Sequence, residues 1–436
     1  MTTGEKIKTL RKELKLTQSQ LAGEEMTKSM LSQIENNNAM PSMKNLRYLA
    51  NKLGRPISYF LDEDTLNEDI PVDEIKRKMR KADEYAKRYE KEKVVEILDG
   101  ILQDYNINEK SKLYADILYK NGIWKFPLNE FEIGEKCLRE AVEIYKANNL
   151  YSNAAKAYIE LMGPFWQTQD FEKSLKILDE AYEIYLQSTT EDITFHLEYL
   201  FNKSLVLSTL GRMNETYELV DKAIEISKES GVYYNTGEFY RMRGNLGIVM
   251  EDYGNVLYYL EKAMQFAEFT DNKFKLSQVI FNYGNYYCEI DEPKKAIEYL
   301  KKSLEIFPDS NKHLKHLYYI DLAICYYKMG EYKKALEEII KTKYSDVVYH
   351  KFDYVFMWSG KVYEGLILFN LGESDKALES IYKGIEMMSK RGNSKHLAFA
   401  YKKLSDIYSK LNDYEKAFKT LKKSEEITKE LNGNPL

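Results

Sequence analysis

The sequence predicts an all-α protein, in which a small N-terminal helical bundle precedes a right-handed α-solenoid of about nine helix pairs. The first observation is a repeat with a period of about 40 residues that covers most of the chain. The second is the scarcity of helix breakers, since there are eight prolines in 436 residues. Turn glycines such as Gly211, Gly330 and Gly372 fall between the predicted pairs. We therefore expect almost no β-strand.

The period is measured on the small or packing residue that begins the second helix of each pair. Successive positions are 39 to 42 residues apart: Val94, Gly134, Ser174, Thr216, Val256, Ala296, Ala335, Ala377 and Ala417. Self-similarity at such a period is typical of a solenoid, in which each pair buries its apolar face by stacking on its neighbours.

The first 61 residues differ in charge from the rest of the chain. They hold ten Lys and Arg against five Asp and Glu, a net charge of +5. The remaining residues hold 54 against 64, a net charge of −10, so the total of −5 conceals a basic head on an acidic body. A basic domain of this size favours a polyanionic partner.

Helix signals in this basic segment follow one another closely. Thr17 can cap a helix and Gln20 can close the capping box. After a short turn, Thr27 starts another helix whose inner face carries Leu31 and Ile34. Two short helices joined by a tight turn inside a bundle of this size form a helix-turn-helix arrangement.

Residues 5–61 resemble the phage-repressor or Xre-type DNA-binding domain. The residues that carry the resemblance are Thr17-Gln18 with Leu21-Ala22, then Leu31-Ser32-Gln33-Ile34-Glu35-Asn36, and then Pro41-Ser42 with Leu46, Leu49, Ala50 and Leu53. The resemblance implies that the second of these helices enters the major groove of DNA. The implied DNA-binding residues are Gln18, Thr27, Lys28, Ser29, Gln33 and Asn36.

The side chains of these DNA-binding residues suit two roles, which are base contacts and phosphate contacts. Lys28 can donate to guanine, and Gln33 can pair with adenine through two hydrogen bonds. Gln18 and Asn36 would contact phosphates and set the register on DNA. The alternative is a degenerate domain that no longer binds DNA.

The remaining chain divides into a short linker and the repeats. Residues 62–71 hold five acidic residues and no basic one, which is typical of a solvated linker. Residues 72–436 are expected to form the repeat domain, with roles in peptide sensing and oligomerisation.

The repeats resemble the tetratricopeptide repeat, abbreviated TPR. The residues that match the family pattern in one copy are Gly284, Tyr287, Ala296, Leu300 and Pro308. The period here exceeds the usual 34 residues, which implies longer helices.

In folds of this kind the first helix of each pair lines the concave side. Counting inward positions from the small residue in the middle of that helix selects one set of polar side chains in four adjacent pairs: Glu198, Asn202, Arg241, Asn245, Gln278, Asn282, Asn285 and Asp321. Asparagine can satisfy a peptide N–H and C=O together, and Arg241 can hold a carboxylate. The alternative is that these amides only bond between neighbouring helices.

Other functional classes find little support in the sequence. The five histidines are scattered, and no phosphate-binding glycine loop or nucleophile motif is present, so we expect no enzyme, cofactor or metal site. The three cysteines are odd in number and far apart, which favours reduced thiols. No signal peptide or membrane-spanning run is apparent, so a cytoplasmic protein is expected.

A repressor-like domain followed by tetratricopeptide-like pairs resembles the RRNPP superfamily of peptide-responsive regulators, which comprises the Rap, Rgg, NprR, PlcR and PrgX proteins, with the phage arbitrium receptors as relatives. The resemblance implies a cytoplasmic quorum-sensing transcription regulator. Its partners would be a short signalling peptide in the concave groove, a pseudo-palindromic operator in double-stranded DNA, and a second copy in a homodimer or higher oligomer.

Two other functions remain open. The array could sequester a response regulator or another protein, as the Rap branch does, with DNA binding secondary. A phosphatase-like activity would require a glutamine or acidic residue aimed at an aspartyl phosphate, and the sequence identifies no such residue.

Overall fold

The computed structural model describes residues 2–23, 25–55, 57–60, 71–308, 315–345 and 351–433. Within these ranges every regular element is a helix. The all-α prediction is therefore confirmed. Residues 62–70 of the predicted acidic linker lie outside the described ranges, so the linker remains a prediction.

The N-terminal bundle contains five helices: α1 (Thr3–Glu13), α2 (Gln18–Ala22), α3 (Lys28–Glu35), α4 (Met43–Lys52) and α5 (Ile57–Phe60). Thr17 closes the capping box with Gln20 that the sequence predicts, and the Thr27 side chain caps α3. Ile7, Leu21, Leu31 and Leu49 are fully buried at the centre of the bundle. The helix-turn-helix prediction is confirmed.

Gly4 is the closest point of contact between α1 and the end of α3. A Cβ atom on Gly4 would lie 2.0 Å from the carbonyl oxygen of Ile34. Only a residue without a side chain allows this approach, so Gly4 sets the distance between the first and third helices.

The chain divides into two compact units, residues 1–195 and residues 196–436. The first unit holds the bundle together with three helix pairs. The predicted domain boundaries at residues 61 and 72 thus differ from the limits of the compact units, and they remain predictions. Within the first unit, the side-chain hydroxyl of Thr189 donates to the carbonyl oxygen of Asn38, 2.8 Å away.

The helices of the first three pairs are α6 (Val72–Lys87), α7 (Lys91–Asp104), α8 (Lys112–Lys125), α9 (Phe131–Ala147), α10 (Tyr151–Ile159), α11 (Gly163–Thr168) and α12 (Phe171–Tyr185). The third pair has one helix more than the sequence predicts, because its first helix is divided into α10 and α11. Pro164 lacks a backbone N–H and cannot continue the hydrogen bonds of α10, so a short 3₁₀ turn separates the two segments.

The remaining helices are α13 (Ile193–Leu210), α14 (Met213–Ser230), α15 (Thr236–Val249), α16 (Val256–Phe269), α17 (Lys273–Glu289), α18 (Pro293–Ile306), α19 (His316–Lys328), α20 (Tyr332–Ile339), α21 (Lys351–Asn370), α22 (Ser374–Ser389), α23 (Lys395–Lys410) and α24 (Tyr414–Gly433). Each of the nine packing residues used to measure the period lies in the first turn of a second helix. The described ranges thus contain the nine predicted helix pairs.

Glycines allow the two helices of a pair to approach closely. A Cβ on Gly244 would lie 2.7 Å from Leu260, and a Cβ on Gly284 would lie 2.7 Å from Leu300. Both leucines are fully buried. This contact fixes which face of each first helix packs inside its pair.

Candidate functional site

The predicted DNA-binding surface lies on α3. The backbone N–H of Met30 donates to Thr27 Oγ1, 3.1 Å away, so this hydroxyl completes the helix terminus. The side chains of Lys28, Ser29 and Gln33 are exposed, and Leu31 and Ile34 on the other face are buried. A polar, donor-bearing face on a helix of this length can reach base edges in the major groove.

Gln18 has a partner inside the bundle. Its Nε2 donates to Glu35 Oε2 at 2.9 Å. Arg11 binds the same buried carboxylate, with Nε 2.5 Å from Oε1 and Nη2 2.9 Å from Oε2. Burial raises the pKa of Glu35, but the hydrogen bonds from Arg11 and Gln18 outweigh it and hold the pKa below its ordinary value.

One hydrogen of the Gln18 side-chain amide is thus used to join α2 to α3. The phosphate contact of Gln18 remains a prediction, and the second hydrogen of the amide would have to make it. Asn36, at the C-terminal cap of α3, is exposed and accepts a hydrogen bond from Lys8 Nζ at 3.0 Å. This pair places a lysine beside the predicted phosphate contact of Asn36.

The sequence analysis did not select Met30. This side chain lies on α3 between the predicted base-reading residues and is 43% exposed. An apolar side chain at this place can contact the methyl group of thymine. Its exposure in the structure is the signal that identifies it.

The predicted peptide-binding residues begin on α13. Glu198 and Asn202 are half-buried there. Asn202 Nδ2 donates to the main-chain oxygen of Glu198 at 3.0 Å, within the same helix. The NH2 group of Asn202 therefore has a structural role within its own helix. The side-chain oxygen of Asn202 remains for a ligand.

On α15 the predicted residue Arg241 is paired with an acid that the sequence analysis left out. Arg241 Nε lies 3.0 Å from Glu238 Oε2, and Lys275 Nζ from α17 lies 3.5 Å from Glu238 Oε1. Burial raises the pKa of Glu238, but Arg241 and Lys275 lower it by a larger amount. The pKa of Glu238 is therefore below its ordinary value. Glu238 lies six residues before Gly244, which is the position from which Gln278 was selected in the next pair. The same count along the sequence could therefore have selected Glu238.

This pairing changes the role expected of Arg241. Its Nε is committed to Glu238, so a ligand carboxylate would meet the two terminal guanidinium nitrogens. These have no partner within the described part of the second unit. The Glu238 carboxylate also holds the guanidinium in place, which reduces the entropy lost when a ligand binds.

Asn245 and Gln278 are half-buried, and neither side chain has a hydrogen-bond partner among the described residues. Each lies at a predicted inward position, on α15 and α17 respectively. They are consequently available to a ligand, unlike the amide group of Asn202.

Three further predicted residues hold buried polar atoms without partners. They are Nδ2 of Asn282, Oδ1 of Asn285 and Oδ2 of Asp321. The first two lie on α17 and the third on α19, two helices in contact with each other. We call these three residues the polar cluster. A buried polar atom without a partner costs about 1–3 kcal/mol, so such a group calls for a ligand or another explanation.

Asp321 is the titratable residue of the polar cluster, and its pKa is shifted. Burial, with the nearby Cys288 and Glu289, raises its pKa well above the ordinary value, and Lys328 opposes the shift. A protonated carboxyl group can donate one hydrogen bond and accept others. The raised pKa extends the pH range in which Asp321 can donate to a ligand, beside the unpaired side-chain oxygen of Asn285 and the unpaired NH2 group of Asn282.

Tyr318 connects the polar cluster with Arg241. Burial is the largest cause of the raised pKa of Tyr318, which is about 12, and the charge of Asp321 adds to the rise. Hydrogen bonds with Ser303 and Ser277 and the positive charge of Arg241 act in the opposite direction and lower this pKa. Arg241 and Asp321 thus act on the pKa of one phenol from the fifth and seventh pairs.

Membrane-spanning helices and metal sites were also sought in the described ranges. No helix there combines the length and apolarity needed to cross a bilayer. No three His, Cys, Asp or Glu side chains come close enough in these ranges to share a metal ion. Cys137, Cys288 and Cys325 are free thiols.

Comparison with known families supports both domain types. The helix-turn-helix domain family matches residues 4–63, and the tetratricopeptide repeat family matches residues 276–338 and 361–430. The family of anaphase-promoting complex subunit 5 matches residues 158–232. The immunity repressor protein of Bacillus phage phi105 is 37% identical over 103 residues, which make up 23% of this chain and 69% of the repressor.

Solved structures resemble the fold over most of its length. A Rap protein complexed with competence and sporulation factor has a TM-score of 0.57 at 18% identity, covering 83% of this chain and 99% of that chain. The apo form of the quorum sensor NprR from B. thuringiensis has a TM-score of 0.50 at 12% identity, covering 72% and 97%. The chain therefore belongs to the helix-turn-helix family of the phage immunity repressor, and it carries tetratricopeptide repeats with the fold of the Rap and NprR proteins, as the resemblance to the RRNPP superfamily predicts.

Proposed function

We propose that this protein is a non-enzymatic transcription regulator of the cytoplasm that binds operator DNA through α3 and changes its DNA affinity when a short signalling peptide binds the repeat array. The observation that carries the proposal is the polar cluster. Asn282, Asn285 and Asp321 each bury a polar atom that has no partner in the described chain. Stability alone would favour apolar side chains at such positions.

A peptide backbone is the ligand that fits this chemistry best. An extended peptide presents alternating N–H and C=O groups, and the cluster offers amide oxygen, amide NH2 and carboxyl groups on two neighbouring helices. Asn245 and Gln278 add two unpaired amides, and the terminal nitrogens of Arg241 add a site for a carboxylate. The proposed peptide is short because these residues occupy only three consecutive pairs.

For DNA, the proposal assigns base contacts to Lys28, Ser29 and Gln33, and phosphate contacts to Gln18 and Asn36, with Thr27 at the helix terminus. A homodimer would bind two half-sites about one turn of DNA apart, or a multiple of that distance. Peptide and DNA are then coupled thermodynamically, so each changes the affinity of the other by the same factor.

Fluorescence anisotropy at fixed salt tests this proposal, because phosphate contacts make DNA affinity strongly dependent on ionic strength. The DNA is the promoter region around the gene, and the ligands are synthetic peptides from small neighbouring reading frames. We expect a peptide that shifts the operator affinity, and we expect Asn245→Ala with Asn285→Ala to remove that shift while DNA binding without peptide is retained.

The matched control is Asn370→Ala, which removes a helical asparagine whose NH2 already donates to the carbonyl oxygen of Leu366. This variant should keep the peptide response. DNA binding that is tight but indifferent to every peptide would contradict the proposal and favour a protein partner for the array. Absence of DNA binding in the folded protein would contradict the regulator itself.

A further inference from the structure

The first helix of the repeat array carries a dense group of positive charges. Five of the six residues from Lys76 to Lys81 on α6 are Lys or Arg, and none is acidic. Ile75 and Ala82, on the inner face of α6, are buried. The charged side chains therefore lie on the outer faces of the helix, away from its packing partner.

One of the five cations is held by the protein itself. Lys78 Nζ lies 3.5 Å from Asp104 Oδ2 on α7 and 4.7 Å from the ring centre of Tyr105. The other four are exposed, and none of them forms an ion pair with a described residue. We call these four residues the α6 basic face: Lys76, Arg77, Arg80 and Lys81.

Exposed cations on later helices are commonly paired with an acid one turn away. On α8, for example, Lys112 Nζ lies 2.7 Å from Asp116 Oδ2. Arg80 has an acid three residues later, but the carboxylate of this Asp83 pairs with Lys120 on α8. The α6 basic face thus keeps a positive charge that other helices compensate.

Fold stability does not account for this density of charge. Lys76 and Arg80 are four residues apart, as are Arg77 and Lys81, so like charges face each other on the helix surface and destabilise it. Glu84, one turn further along, offsets only part of the charge. A partner rich in negative charge would remove the repulsion.

Double-stranded DNA is the polyanion that fits this place in the chain. α6 belongs to the same compact unit as the helix-turn-helix bundle. The bundle ends with α5 at Phe60 and α6 begins at Val72, and the chain between them spans at most about 40 Å. One turn of DNA is about 34 Å long and carries roughly 20 phosphates. A duplex held by α3 therefore presents phosphates at distances that α6 can reach.

We propose that the α6 basic face is a second DNA contact, which binds phosphates beside the major-groove site of α3. The inference rests on the proposed function, because it needs DNA on α3, and it assigns a further surface to the same partner. Arg77 and Arg80 can each hold a phosphate through two parallel hydrogen bonds, while the lysines act as point charges. Such contacts position the protein and carry no sequence information.

The salt dependence of DNA affinity tests this contact, because each phosphate that a protein neutralises releases counterions. Fluorescence anisotropy of the full chain is measured between about 50 and 200 mM salt, on promoter DNA from around the gene and on an unrelated duplex of the same length. Arg77→Gln with Arg80→Gln should reduce the slope of log affinity against log salt by about 1.8, which is about 0.9 for each lost contact. The affinities for the two duplexes should fall by the same factor.

The matched control is Lys294→Gln with Lys333→Gln. These exposed lysines lie on α18 and α20 in the second unit, and neither forms an ion pair with a described residue. The control removes the same net charge and should leave the slope unchanged. An equal decrease in both double variants would mean that net charge alone acts, and it would overturn the inference. Urea unfolding verifies that the variants keep the fold, as expected because glutamine is a good helix former.

Hydroxyl-radical footprinting on the promoter DNA locates the contact. We expect the unaltered chain to protect backbone positions that flank the site of α3. The Arg77 and Arg80 variant should lose this flanking protection and keep the central protection. A footprint identical to that of the unaltered chain would overturn the inference.

These outcomes separate the inference from the proposed function. If the unaltered chain binds DNA and the α6 variant keeps its salt slope and footprint, the α6 contact is overturned and the regulator stands. If the α6 variant loses slope and flanking protection but no peptide changes DNA affinity, the α6 contact is supported and the peptide response fails. Absence of DNA binding by the folded, unaltered chain overturns both.

Discussion

Asn245 and Asn285 hold the same place in consecutive helix pairs, each directly after a glycine that packs against a leucine of the partner helix. Gly244 lies against Leu260 and Gly284 against Leu300, and in both cases an added Cβ would come within 2.7 Å. Because these contacts fix the inward face of each pair, the two asparagine side chains leave from corresponding points of α15 and α17. Two asparagines thus occupy equivalent positions one repeat apart.

The buried amide of Asn282 should cost stability. Replacing it by leucine, of similar volume, removes a donor without a partner, so we expect Asn282→Leu to raise the free energy of unfolding by about 1–2 kcal/mol. The same change should abolish any peptide response. Urea unfolding and peptide binding measure the two effects. Asn370→Leu is the control, and a loss of stability in Asn282→Leu would show that the amide has a partner in solution.

The pKa of Asp321 predicts how stability depends on pH. Since burial raises this pKa in the folded protein, the folded state binds the proton more tightly than the unfolded state does. The contribution of the protonated group is complete below the ordinary pKa of aspartate and is lost as pH rises through the folded-state pKa. Each unit of upward shift amounts to about 1.4 kcal/mol.

Asp321→Asn therefore should not lose stability as pH rises. We expect the melting temperature of this variant to exceed that of the unaltered protein at pH 8, and the difference to shrink near pH 4. Thermal unfolding at several pH values measures it. The same melting difference at both pH values would mean that folding leaves the pKa of Asp321 unchanged, and a variant that is less stable at pH 8 would mean that the ionised Asp321 has a cationic partner.

Glu35 should have the opposite pH dependence. Its pKa is lowered in the folded bundle, so its pairing stabilises the fold above the ordinary pKa of glutamate and is lost as pH falls through the lowered value. Glu35→Ala leaves the guanidinium of Arg11 without its buried partner and should destabilise the bundle by about 3 kcal/mol. Circular dichroism of the full chain in urea, at pH 7 and pH 3, would detect the change as an earlier transition.

The control for this variant is Lys44→Ala, which removes an exposed ion pair with Glu25 and should cost less than about 1 kcal/mol. Equal losses from the two changes would contradict the importance assigned to Glu35.

Two lysines of the bundle, Lys28 on α3 and Lys8 on α1, should have different effects on DNA binding. Lys28→Ala should cost about 1–3 kcal/mol and relax the preference at one base pair, because we propose that this exposed lysine donates to a base. Lys8→Ala, next to Asn36, should weaken binding to all sequences alike and reduce its salt dependence. Anisotropy titrations with a set of single-base operator variants distinguish these results. A uniform loss in Lys28→Ala would place that lysine on phosphate instead.

Much of the fold could be predicted from local patterns. The nine packing residues with a period near 40 all lie in the first turn of a second helix, because stacked pairs repeat one packing environment. The caps at Thr17 and Thr27 also form as predicted, since each depends on residues three positions away. The division of the third pair at Pro164 was missed, although proline was a visible signal.

By itself, the sequence determined the all-helical repeat and the helix-turn-helix bundle, because these follow from periodicity and from short-range capping, and it predicted a set of inward polar residues. The tertiary structure decided which of those polar atoms have partners. Gln18 is committed to Glu35 on another helix, and the polar cluster holds buried atoms without partners, whereas Asn202 and Arg241 bond four and three residues away in their own helices. Hydrogen-bond partners from other helices depend on distances in three dimensions, which no spacing along the chain specifies.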